Sequence, residues 1–127
     1  MKNLYKLIVL TGMALFLGSC YYDTYLEEEE IPIPPDVEIS YSQDIQPLWD
    51  RDCVRCHPPT APNLQEGLSY DALINGGYVI KGDAENSILY KSFFGLDGVT
   101  GMPGQDGWNI NDANKVKKWI NDGAENN

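Results

Sequence analysis

Two thiols and an imidazole stand together at Cys53-Val54-Arg55-Cys56-His57. Cysteines three positions apart lie on one side of a single turn. They can add across two vinyl groups of one flat ligand, forming two thioethers. The adjacent imidazole then falls beneath a metal at the ligand's centre. C-x-x-C-H is the spacing for covalent attachment of c-type haem. His57 is the single histidine of the chain, so no other imidazole competes as proximal ligand. Other uses of the motif fit less well. Structural zinc wants four Cys or His ligands, and only Cys53, Cys56 and His57 remain once Cys20 is set aside. A thioredoxin-like dithiol needs a strand–helix context, and no βαβ pattern precedes the motif. A plain disulfide stays open as an alternative, but it leaves His57 without a role.

A thioether is the second chemically informative group. Residues 93–109, from Phe93 to Asn109, read as a loop carrying Gly95, Gly98, Gly101, Gly104 and Gly107. A long ordered loop in a small domain is usually functional. Glycine lets backbone approach a flat ligand closely. Within it, Met102 is the one methionine beyond the N-terminal segment. Its sulfur is a soft ligand for haem iron, and Met/His ligation raises the reduction potential. The competing reading is an incidental loop methionine with an open or water-bound iron. Pro62, Leu64, Tyr78, Phe93, Phe94 and Trp108 are the candidate haem-pocket residues.

Helices must position these groups. Ile45, Leu48 and Trp49 recur at helical spacing ahead of Cys53. Pro47 is tolerated only in a first turn, which favours Asp44 over Ser42 as the N-cap. Ser69 to Ile74 reads as a short helix closed by Gly76-Gly77. Asp83 to Lys91 reads as another, with Asp83 as cap and Ile88 and Leu89 inward. The last helix spans Asn111 to Asp122, with Asn111 as N-cap and Gly123 at C′. Its apolar stripe is Val116, Trp119 and Ile120, and Lys115, Lys117 and Lys118 form a solvated face. Those lysines are the only basic cluster and a minor docking candidate. No run alternates long enough to build a sheet. The expectation is an all-α domain in which Trp49 meets Trp119 or Ile120.

The N-terminus reads as an export signal. Lys2 and Lys6 precede an apolar stretch, Leu7 to Leu17, too short to span a bilayer. Leu17-Gly18-Ser19-Cys20 resembles the bacterial lipobox, and that resemblance implies cleavage before Cys20 and lipidation of its sulfur. Several acyl chains at ~0.8 kcal/mol per buried methylene anchor stably. An ordinary signal peptide with an incidental cysteine is the alternative. Residues 1–20 are thus the signal with its lipobox, 21–38 an acidic, proline-rich linker, and 39–127 the domain. With one cysteine for lipid and two for haem, none is left for a structural disulfide.

Charge narrows the partners. Residues 21–127 carry seven Lys and Arg against nineteen Asp and Glu, a formal charge of −12. Nucleic-acid binding wants a basic face and is not expected. A redox partner should be neutral or basic where the two meet. The linker, fully extended at ~3.1 Å per residue, could hold the domain up to about 55 Å from the lipid. It could also serve as a sorting signal, since some bacterial lineages use acidic residues after the lipidated cysteine.

From about residue 40 to 124 the chain resembles a class I cytochrome c. Cys53-x-x-Cys56-His57 carries the resemblance most specifically, followed by Met102-Pro103 ahead of a final helix. Pro62-Asn63-Leu64 resembles the family's proline segment, whose carbonyl accepts the proximal histidine's N–H. Trp49 matches the aromatic that packs on the final helix. The resemblance implies a small helical fold wrapped around one covalent haem c, with first and last helices packed together. It implies iron held by His57 and Met102. The expected role is a lipid-anchored, single-haem electron carrier, exported to a periplasmic face or the cell surface. Such a carrier is no enzyme, and no small-molecule substrate is expected. The alternatives are a docking module of a larger membrane or surface oxidoreductase, or a sensor or peroxidase-like site with a vacant sixth iron position.

Overall fold

The computed structural model describes residues 30–102 and 109–127. The signal segment with Cys20 and the loop residues Pro103, Gly104 and Trp108 lie outside the described residues. Within them the architecture is all-α, with no strand. A π-helical turn, Tyr41–Ile45, runs directly into α1, Gln46–Asp52. Three further helices follow: α2, Ser69–Asn75; α3, Ile88–Phe94; and α4, Ile110–Asn121. No helix among the described residues is long and apolar enough to cross a membrane.

The start of the first element differs from expectation. Ser40 is the cap, and its Oγ accepts from Gln43 N. Asp44 plays the reciprocal part, its Oδ2 accepting from Ser40 N at 2.9 Å. The helical run thus begins too early for Pro47 to lie in a first turn. The chain solves this by widening: Gln46 N–H reaches back five residues to Tyr41 O. In a regular helix the Pro47 ring would crowd the carbonyl four residues earlier, and a wider turn relieves that crowding. The exposed helix start also takes acceptors from the far end of the chain. Tyr41 N donates to Asn127 Oδ1 at 2.8 Å and Ser42 N to Asn127 O at 3.0 Å.

α2 and the closing Gly123 fall where the sequence places them. Two boundaries move. Asn109, not Asn111, caps α4, accepting from the N–H groups of Asn111 and Asp112. The segment 83–87 forms a turn, not helix, and α3 starts at Ile88. The cause is Ser87: its Oγ donates to Asp83 O at 2.8 Å and accepts from Ile80 N at 2.9 Å. A serine side chain that binds backbone offers an alternative to the helical ladder. Ile88 consequently points outward, while Leu89 is buried.

One core unites the helices. Trp49, Ile45, Leu64, Leu73, Val116, Trp119 and Ile120 are fully buried in it. The π-helical turn and α4 meet there through a residue the sequence reading did not single out. Tyr41 packs its ring on Trp119, centroids 5.1 Å apart, and edge-on against Tyr70 at 5.2 Å. Its hydroxyl accepts from Trp49 Nε1 at 3.3 Å. On the surface, Arg51 of α1 bridges to Asp112 of α4 at 2.7 Å. The lysines of α4 are not simply solvated. Lys117 pairs with Glu85, Lys118 with Asp122, and Lys115 lies 3.6 Å from Asp112.

The acidic segment lies partly on the domain. Ile31 N donates to Asn111 Oδ1 at 2.8 Å, Asn114 Nδ2 to Glu30 Oε1 at 2.9 Å, and Lys118 Nζ to Pro35 O at 3.3 Å. Residues 30–35 therefore run alongside α4 instead of leading straight away from it.

Candidate functional site

α1 delivers the motif by running into it. Cys53 N and Val54 N both donate to Trp49 O, at 2.8 and 3.0 Å. The next turn closes on one carbonyl: Cys53 O accepts from Cys56 N and from His57 N, each at 3.0 Å. Cys53, Cys56 and His57 thus share one turn anchored to buried Trp49. Both thiols are free, Cys53 buried and Cys56 exposed. Burial, reinforced by the carboxylate of Asp52, pushes the Cys53 thiol up to about 12. It is protonated at neutral pH and a poor nucleophile as it stands.

His57 is half-buried, and its ring is oriented by a single bond. Nδ1 lies 2.8 Å from the carbonyl of Pro62. A carbonyl only accepts, so Nδ1 carries the proton. In the neutral ring Nε2 is then a bare lone pair, and no described residue hydrogen-bonds to it. The segment 58–62 turns back far enough in five residues to make this contact. Among the described residues, no group of three or more His, Cys, Asp and Glu side chains converges as a metal site, these three included.

The thioether stands on the other branch of the chain. Met102 is half-buried, and its N–H donates to Ser92 O at 3.1 Å, tying it to the end of α3. The approach is made by two glycines. Gly95 sits in the left-handed region at φ 63°, and a Cβ there would meet Gly101 Cα at 3.7 Å. Gly101 thus brings backbone against backbone immediately before Met102.

The candidate pocket residues divide. Pro62 is half-buried and engaged with His57, whereas Leu64 is fully buried in the core. Phe93 is buried and Phe94 largely exposed, each edge-on to Tyr90 at 6.4 and 5.5 Å. Tyr78 is half-buried over Gly76, where a Cβ would sit 2.7 Å from its ring. Trp108 lies outside the described residues.

A polar network behind the site was not evident from sequence. Tyr41 OH donates to Ser69 Oγ at 2.7 Å, and Ser69 Oγ donates to Gln46 Oε1. Gln46 Nε2 donates to Asp50 Oδ1 at 2.8 Å and to Leu64 O at 3.2 Å. Gln46 and Ser69 are both buried. Glutamine and serine at helix starts ordinarily face water, so their types carry no signal of burial.

The chain matches no family model, no curated protein and no solved structure.

Proposed function

We propose that this protein is a single-haem c-type cytochrome that carries electrons, anchored by lipid on Cys20 outside the cytoplasm. The observation that carries the reading is His57. Its Nδ1 proton is committed to the Pro62 carbonyl, which leaves Nε2 as a lone pair for iron, on the same turn as two free thiols. That combination fits a covalently held haem better than it fits zinc or a disulfide. Cys53 and Cys56 would form the two thioethers, with His57 as proximal and Met102 as distal ligand. When bound, haem supplies a reversible one-electron couple at iron.

The chain's part is to hold and tune that couple. The Pro62 carbonyl fixes the imidazole's tautomer and raises its basicity. Trp49, by anchoring the turn, sets where both sulfurs emerge. The exposed position of Cys56 puts that thioether edge at the surface, where a partner could exchange electrons. Ligation by both His57 and Met102 would close the iron to oxygen. The acidic surface favours a partner that is neutral or basic at the contact. Residues 30–35, the end of the linker nearest the domain, lie on α4.

Expression with a c-type haem maturation system tests the reading. The expected product keeps its haem through acidified organic solvent. Its oxidised form shows the weak far-red band of an iron–methionine bond, and Met102→Ala abolishes that band and opens the iron to carbon monoxide. Haem still covalently bound after Cys53→Ala/Cys56→Ala would refute the attachment. An unchanged band in Met102→Ala would refute the distal ligand.

A further inference from the structure

We infer that Gln46 is a positioning residue for His57, acting through the 62–64 segment; the inference rests on the reading of His57 as the proximal ligand. The backbone of residues 61–64 lacks regular structure. Among the described residues it makes two hydrogen bonds to the rest of the domain. Pro62 O accepts from His57 Nδ1, and Leu64 O accepts from Gln46 Nε2. Gln46 is thus the anchor that ties to α1 the same short segment that orients the imidazole.

The amide suits that task because all of its groups are engaged. Nε2 donates to both Leu64 O and Asp50 Oδ1, and Oε1 accepts from Ser69. A buried amide with every group satisfied has one low-energy orientation, since turning it would orphan several groups at once. Gln46 also stands on α1, seven residues before Cys53 on the same helical run. The thiol-bearing turn and the carbonyl that orients the imidazole are therefore held by one rigid element. Loosening Leu64 lets the Pro62 carbonyl drift from Nδ1. The imidazole then becomes less basic, the ferric state loses support, and the potential rises.

Two variants of the full chain test this. Gln46→Met keeps the length and removes every polar contact. Gln46→Glu keeps an acceptor for Ser69 and removes the donor to Leu64 O and to Asp50 Oδ1. Tyr41→Phe breaks the far end of the network, leaves the Gln46–Leu64 bond intact, and controls for stability loss. In the haem-loaded protein both Gln46 variants should raise the reduction potential, and Tyr41→Phe should not. In the haem-free protein, ring 15N shifts of His57 report its tautomers above the imidazole pKa. The ratio of Nδ1–H to Nε2–H should fall about fivefold to tenfold in both Gln46 variants, the worth of one net hydrogen bond. The haem-free measurement keeps the two readings apart. If haem never attaches, the function proposal fails, while the tautomer ratio still decides the role of Gln46. A tautomer ratio unchanged in both Gln46 variants, or a Tyr41→Phe shift as large as theirs, would overturn the inference.

Discussion

Removing a single oxygen atom, in Tyr41→Phe, should destabilise the domain by about 2–3 kcal/mol. The ring contacts to Trp119 and Tyr70 survive this change, so the hydrophobic contribution is nearly constant. What is lost is a hydroxyl that accepts from Trp49 Nε1 at 3.3 Å and donates to Ser69 Oγ at 2.7 Å. Trp49 is fully buried, so its N–H is left without water as a substitute. An orphaned buried donor costs about 1–3 kcal/mol. Ser69 keeps its bond to Gln46 and loses only the incoming donor, worth roughly 0.5–1.5 kcal/mol. At ~4–8 °C per kcal/mol for a domain of this size, the melting midpoint should fall by roughly 10–20 °C. Urea titrations of the haem-free and haem-loaded proteins would measure it, with Cm falling and the slope unchanged. The same hydroxyl has a second signature. Burial raises the Tyr41 pKa, so its phenolate should be absent from the ultraviolet spectrum until well above pH 10, and stability should fall as pH rises through that range. A loss below about 0.5 kcal/mol would show that the Trp49 N–H finds another partner, and would remove Tyr41 from the centre of the core.

In the haem-free protein Cys56 should alkylate readily while Cys53 resists until pH approaches 12; because its folded pKa is raised, Cys53 supports the fold below about pH 9 and stops doing so as pH climbs towards 12. Equal alkylation rates for the two thiols at pH 8 would contradict the burial of Cys53. Asn109→Ala should cost about 1 kcal/mol by uncapping α4, and Asn111→Ala clearly less, as thermal melts of the two would compare. Cys20→Ala should release the protein into a soluble fraction or leave an uncleaved precursor; a mature variant that still needs detergent would disprove lipidation there.

The thiols and imidazole of the candidate site were legible in the chain because covalent spacing alone puts them together. Cys53, Cys56 and His57 need no tertiary fold to share one turn. The apolar stripe of α4 and the glycine stops after α2 and α4 were readable for a similar reason: helical periodicity and left-handed backbone are local properties. Boundaries were harder to place where side chains compete with backbone. Ser87 and Asn109 each look ordinary in sequence, and their roles depend on which N–H or carbonyl lies nearby. Long-range partners carried no local signal. Asn127 caps a helix that begins 86 residues earlier, and Tyr41 joins Trp49 to Trp119 only because three segments converge on it. The orientation of His57 belongs to the same class. Its type and position were set by the motif, but the direction of its proton depends on where the Pro62 carbonyl comes to rest. That position follows from packing Leu64 in the core and pinning it to Gln46, neither of which the order of residues states.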